Sequence, residues 1–347
     1  MNPVSVRLLN QQLCAPQFAA PELVVSHLGA VQAQDYRLMR WGVAMRTKRP
    51  SAAAFGRAYD SGRIVRLHLL RGTWQLVAGD DYWWMLDLFA ARGRRVIEGW
   101  MSANHITITD EEYSRVRDIL IRCAADCGSA TKEDFAHAVA VQGMEMDSHR
   151  LSYHIRMAEL SGTLCSGLLH PTKATYSLAE SRLLRRSMID RDEALARLAG
   201  KYFLSRSPAT LEDFVWWSGL NIGDCRRAIA LLGNALHPVR WKGREFYLHD
   251  EARTRGFRRG SLLLLPPYDE YLIGYKSRDV VLPDDHRPRA HNNSGIFYPI
   301  VARDGIICGN WKPFAKLLQV TPFEQEAALL PLDAEWARYQ KYLNTTT

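Results

Sequence analysis

The chain has 347 residues, 47% of them hydrophobic and 24% charged, which at ~150 residues per domain predicts two or three folded domains and excludes wholesale disorder or a fibrous architecture. Lys and Arg number 45 against 37 Asp and Glu, a formal charge of +8, a first pointer to a polyanionic partner. The longest strongly apolar stretch, Leu262 to Leu265, stops at Pro266-Pro267, far short of the ~20 residues of a membrane span.

In chain order, Pro21 to Ala30, Tyr36 to Arg46 and Ala52 to Tyr59 read as helices. Ile64 to Leu70 and Thr73 to Val77 then make a hairpin around Arg71-Gly72, and a helix from Asp80 to Arg92 follows. Next come amphipathic Glu111 to Cys127, a helix opening at Thr131, and helical Ser148 to Leu160. Strand-like runs Gly162 to Leu169 and Ala174 to Leu178 close this stretch. The order then repeats: Asp192 to Leu204, a helix opening at Thr210, Asp224 to Leu232, and a hairpin of His237 to Trp241 with Glu245 to His249 around Lys242-Gly243-Arg244. After about residue 260, Ser261 to Leu265, Tyr271 to Tyr275, Ile296 to Val301 and Ile306 to Cys308 read as strands, with a turn at Asp304-Gly305 and a terminal helix from Phe323 to Tyr342.

The repetition is visible in the letters. Ala130-Thr131-Lys132-Glu133-Asp134-Phe135 recurs as Ala209-Thr210-Leu211-Glu212-Asp213-Phe214, displaced by 79 residues. Each Thr reads as an N-cap with acidic residues in the first turn, which suits the positive end of a helix dipole. Three helices followed by a hairpin is the order of a winged helix, a helix-turn-helix carrying a β wing. The predicted architecture is therefore α+β: winged-helix units over 1–105, 106–182 and 183–258, then a β-rich region with a terminal helix over 259–347. The first unit rests on element order alone. Winged helices also serve protein–protein contacts, so the fold by itself does not assign DNA.

Charge sharpens the reading. Residues 182–260 hold 16 Lys/Arg against 9 Asp/Glu, and Arg253, Arg255, Arg258 and Arg259 form a basic run. A second concentration includes Arg37, Arg40 and Arg71. Together with Lys242 and Arg244 in the wing turn, these are the candidate phosphate contacts. Familiar chemistry is missing: there is no GxxxxGK[ST], GxGxxG after a strand, HExxH or GxSxG. Cys123 and Cys127 lack a second pair at zinc spacing, so no metal and no cofactor is expected. Six cysteines are too sparse for a disulfide scaffold, and Arg7, Gln11 and Gln12 interrupt any signal-peptide core; a reduced, cytoplasmic protein with no membrane partner is expected. Trp83-Trp84 and Trp216-Trp217 read as packing aromatics.

One link stands out. In Val31-Gln32-Ala33-Gln34-Asp35-Tyr36 two glutamines flank a small residue between helices. In an extended link, residues two apart face the same side, so Gln32 and Gln34 have the spacing to converge.

Gln32-Ala33-Gln34, with Asp35 after it, resembles the Gln-hydrophobic-Gln motif of the AlkZ-type DNA glycosylases, which are built from three tandem winged helices. Leu70-Arg71-Gly72-Thr73-Trp74 with Leu76-Val77 resembles that family's first wing. Leu265-Pro266-Pro267-Tyr268-Asp269-Glu270-Tyr271-Leu272 and Gly274-Tyr275 resemble its C-terminal signature, with Gly295-Ile296-Phe297 and Gly309-Asn310-Trp311-Lys312 following. The resemblance runs from about residue 5 to 340. It implies a monofunctional glycosylase acting as a monomer on double-stranded DNA that carries alkylated (N3/N7) purines; substrates in the family include bulky adducts and, in some members, interstrand crosslinks. It implies further that Gln32 and Gln34 position the water, with Asp35 either an electrostatic contributor or simply a helix N-cap. The other reading of the residues is a winged-helix DNA-binding protein or transcription regulator without catalytic activity.

Overall fold

The computed structural model describes residues 2–185 and 189–345, so 186–188, within the basic segment, lie outside it. The chain divides into two compact units, one formed by residues 1–55 with 195–347 and the other by residues 56–194. Helix and sheet are mixed in both.

In the unit of residues 56–194, Ile64–His68 pairs antiparallel with Trp74–Ala78, Val65 opposite Val77. The turn between them places Arg71 at φ +56° and Gly72 at φ +71°. A β-carbon on Gly79 would lie 2.2 Å from the Gly62 carbonyl oxygen, so only glycine fits where the hairpin ends. The helix Tyr82–Ala103 runs well beyond the expected Arg92. Gly93 lets it pass close to Leu160, whose Cδ2 would be 2.7 Å from any added β-carbon.

Helices Asp110–Cys127, Lys132–Val141 and Ser148–Leu160 follow, then the strands Leu164–Ser166 and Thr175–Leu178. Their inner faces bury Val116, Leu120, Phe135, Leu151, Ile155, Leu164 and Tyr176 as one core. Thr131 caps the middle helix in a full capping box with Asp134, as the Thr-x-x-Asp spacing predicts.

The second copy of the repeat reproduces these details. Helices Arg191–Arg206, Leu211–Ser218 and Ile222–Leu232 precede the hairpin Leu236–Trp241 with Arg244–His249. Thr210 and Asp213 form the same capping box. Even the bridge just before the cap recurs, for Ala130 pairs with Tyr176 and Ala209 with Tyr247.

The C-terminal part departs from the sequence reading in several places. Its sheet has four antiparallel strands in spatial order Leu317–Pro322, Ile306–Phe314, Ile300–Arg303, Leu262–Leu265. The strand expected at Tyr271 to Tyr275 is instead a short helix, Glu270–Ile273, capped by Asp269; the two prolines end the preceding strand, and the Asp side chain accepts the Tyr271 N–H. The strand expected from Ile296 is confined to Ile300–Arg303, because Pro299 has no N–H to give to a ladder. Ile306–Phe314 extends past Cys308, and Leu317–Pro322, whose residues alternate between exposed and half-buried, was not foreseen. The terminal helix is only Asp333–Leu343, since Pro331 breaks the segment after a turn at Gln325–Leu329. At the other end, helix Pro3–Asn10 was likewise not foreseen.

Among the described residues no helix is long and apolar enough to cross a membrane, and no cluster of three or more His, Cys, Asp or Glu could hold a metal ion. Gly79→Ala is expected to destabilise the protein by about 2 kcal/mol or more through the clash with the Gly62 carbonyl, read as a lower urea midpoint; an unchanged midpoint would show that the turn can yield.

Candidate functional site

The link that carries the two glutamines is held by buried charge. Val31–Gln32 is a two-residue extended stretch after the helix Pro21–Leu28, which ends at Gly29 with φ +76°. The Gln32 N–H donates to Glu270 Oε1 at 2.7 Å. The other oxygen of Glu270 accepts from Arg206 at 2.6 Å and from the Trp217 indole at 3.1 Å. Arg206 in turn donates to the carbonyls of Leu28 and Ala30, at 2.8 and 3.0 Å. One guanidinium thus fixes the end of the helix and the start of the link, and through Glu270 reaches Gln32 as well.

The neighbouring carboxylate fixes the far side of the link. Asp269 takes both terminal nitrogens of Arg46, at 2.9 and 2.7 Å, a bidentate pair. Arg46 also donates to the Gly42 carbonyl at 2.6 Å, in the helix Met39–Ala44 that follows the link. Gly42 packs tightly here, since Pro266 Cγ stands 3.2 Å from where its β-carbon would be. A polar circuit joins the two pairs: Arg46 donates to Gln11, Gln11 to the Tyr275 hydroxyl at 3.0 Å, and that hydroxyl to the Arg206 carbonyl at 3.0 Å. Arg46, Arg206, Gln11, Tyr275 and Glu270 are all buried. Gly274 is required beside them, because a β-carbon there would meet the Glu270 carbonyl at 2.5 Å and Arg206 Nε at 3.1 Å.

The two glutamines have different surroundings: Gln32 is 5% exposed and Gln34 is on the surface. Asp35 Oδ1 accepts the N–H groups of Arg37 and Leu38, at 2.9 and 2.7 Å, so it does the work of a cap for the turn into Met39–Ala44. Around this turn stand aromatics. Arg40 lies over the Tyr36 ring at 5.0 Å, and Tyr268 and Phe297 are 6.0 Å apart. The Asp35 carboxylate raises the pKa of the Tyr268 and Tyr339 phenols, adding to the larger effect of burial on each.

The basic residues are scattered over both units. Arg37, Lys242, Arg255, Arg258 and Arg259 are exposed, Arg40 and Arg71 half-buried. Lys242 sits at φ +46° in its hairpin turn, with its ammonium 4.7 Å from the Trp241 ring. Two others are engaged within the fold: Arg244 pairs with Asp279 at 2.5 Å, and Arg253 donates to the Ala15 carbonyl at 3.0 Å.

The sequence reading missed Arg46, Arg206, Asp269 and Glu270. The signal was present, since two adjacent carboxylates interrupt an otherwise apolar run from Leu262 to Tyr275, and a carboxylate in a core needs a cationic partner. Of the doubled tryptophans, Trp217 is in the core on Glu270, while Trp216 donates to the Ile273 carbonyl at 3.0 Å.

A family model described as DNA glycosylase AlkZ-like matches residues 25–342. An interstrand DNA cross-link repair glycosylase from Streptomyces sahachiroi is 28% identical over 327 residues, spanning 90% of this chain and 86% of that protein. The solved structure of Streptomyces sahachiroi DNA glycosylase AlkZ superposes with a TM-score of 0.77 at 24% identity, over 98% of this chain and 96% of the other, a likeness of fold.

Two outcomes follow from the geometry. Glu270→Gln leaves Arg206 buried without its counter-charge and should lower stability by about 3 kcal/mol or more, whereas adding Arg206→Met should recover part of that loss; additive losses in urea unfolding would contradict the coupling. His27, on the helix before the link, donates from Nε2 to the Asn10 carbonyl at 2.7 Å. Burial, with Arg206 and Lys201 nearby, brings its pKa down to about 4. The unfolded chain then binds this proton below about pH 6.5 and the folded chain does not, so stability falls as the pH drops from about 6.5 through about 4, by roughly 3 kcal/mol. His27→Gln should flatten that part of the stability–pH profile, and an unchanged slope would remove His27 as its source.

Proposed function

The chain belongs to the AlkZ-like DNA glycosylase family, and from that premise we propose that it hydrolyses the N-glycosidic bond of N3- or N7-alkylated purines in duplex DNA, bulky adducts and interstrand crosslinks among them. The observation that carries this reading is the Gln-Ala-Gln link itself, anchored from behind by Glu270 while Gln34 stays open to solvent.

The chemistry suits amides. A purine alkylated at N3 or N7 is already cationic and departs without a general acid, through an oxocarbenium-like state at the sugar. What remains is to hold a water below C1′ and to face the developing positive charge with negative dipoles. A glutamine side chain does not titrate in the useful range, but its carbonyl oxygen accepts from a water and presents such a dipole. In this reading Gln32 and Gln34 hold the water jointly, Gln32 from the buried side and Gln34 from the exposed side. Asp35 caps the turn that presents them and adds negative charge beside the sugar.

The protein works as a monomer, with three winged-helix units over 1–105, 106–182 and 183–258 and the β-rich part over 259–347. The repeated capping boxes and the repeated bridge before each cap support the second and third units. Arg37, Arg40, Arg71, Lys242, Arg255, Arg258 and Arg259 contact phosphates, whereas Arg244 and Arg253 keep mainly to their partners within the fold. Such contacts fix the duplex without reading its sequence.

Gln34→Ala is expected to lower release of N7-methylguanine and N3-methyladenine from methylated duplex DNA at least 100-fold while duplex affinity stays within about twofold. Equal release by variant and wild type would take the chemistry away from this link, and no release by either, on small and bulky adducts alike, would leave a DNA-binding protein without catalysis. Removing Arg255, Arg258 and Arg259 together should reduce the slope of log K against log salt by about 2–3; an unchanged slope would place them off the DNA.

A further inference from the structure

Between the two prolines and the two clamping carboxylates of the Leu265–Leu272 stretch stands one residue whose side chain the clamp does not use. Leu265 accepts from the Trp311 indole at 2.7 Å, Pro266 packs on Gly42, Asp269 and Glu270 take Arg46 and Arg206, and Tyr271 donates to the Gly305 carbonyl at 2.9 Å. Tyr268 sits among them in the left-handed region, at φ +58°. That conformation suits glycine and strains a residue with a β-carbon. It turns the chain between the prolines and Asp269, and the ring that results is half-buried on the same face as Phe297, Tyr298 and Asp35. Among the described residues the Tyr268 hydroxyl has no hydrogen-bond partner.

Aromatic faces attract cations, and an alkylated purine is both flat and positively charged. On the glycosylase reading above, we propose that Tyr268 is a further residue of the lesion site, its ring face taking the cationic purine beside Gln34 and so favouring charged lesions over neutral bases. The strain explains itself on this basis: glycine would satisfy the backbone and leave nothing for the base to stack on.

The test separates this residue's role from the reaction. Affinity is measured for a duplex with one N7-methylguanine, stabilised by a 2′-fluoro sugar against excision, and for the same duplex unmodified. Wild type should prefer the lesion, and Tyr268→Leu and Tyr268→Gly should lose about tenfold of that preference, with affinity for the unmodified duplex unchanged. Tyr268→Phe, which keeps the ring, should stay within about threefold of wild type. Thermal melting supplies the control: Tyr268→Gly relieves the strain but gives up the ring's packing against Phe297 and the core, so Tyr268→Leu, which keeps apolar bulk there, is the variant that should melt close to wild type. Loss of preference in the Leu and Gly variants but not in Phe supports the assignment. An undiminished preference in Tyr268→Leu or Tyr268→Gly overturns it while leaving Gln34-dependent excision standing. A wild type that neither excises nor prefers the lesion overturns both readings together.

Discussion

Two guanidinium groups in the protein interior decide where the glutamines stand. Taking a charge out of water is expensive unless a counter-charge and further hydrogen bonds meet it, and the requirement is directional. Arg206 satisfies it with two carbonyls before the link and Glu270; Arg46 satisfies it with Gln11, the Gly42 carbonyl after the link and both oxygens of Asp269. Because the two carboxylates are adjacent in sequence, the arrangement works as a single fastening. A shift of the link by one residue would leave the Gln32 amide and Glu270 unmatched, so the register of the motif is set by electrostatics in the core and not by its own three residues.

This is why the motif was readable and its support was not. The glutamine pair lies in six consecutive letters and needs no partner to be seen. Thr131 with Asp134 and Thr210 with Asp213 were readable for the same reason, as were the hairpins and most helices, whose periodicity is local. Arg46, Arg206, Asp269 and Glu270 come from distant parts of the chain, and nothing in the spacing of any one of them says which will meet. The misreading of Tyr271 to Tyr275 as a strand has the same root: an apolar run of that length fits either element, and the decision came from Asp269 capping the helix while bound to Arg46. The missed strand Leu317–Pro322 buries its inward residues Leu318 and Val320 only in part, and its outward Leu317 breaks the apolar–polar alternation that makes strands visible in sequence.

The two copies of the repeat show how the same local solution can take on a second task. Asp134 is exposed and only closes its capping box. Asp213 closes the equivalent box but is buried, accepts the N–H groups of Lys276 and Ser277 at 2.9 and 3.2 Å, and stands 3.9 Å from Arg7. A cap in one copy has become a tie between a helix and the segment just after the clamp in the other.

The bond from the Gln32 amide to Glu270 spans 238 residues of sequence. During synthesis from the N-terminus the link is therefore exposed on the growing chain long before its anchor exists, and the helices of residues 191–218 wait with it, since Arg206, Trp217 and Asp213 take their partners at Glu270, Lys276 and Ser277. The link can be fastened only once Glu270, in the last quarter of the chain, has left the ribosome. A translation product cut short before that point would keep the glutamine pair and lack both carboxylates that fix its register.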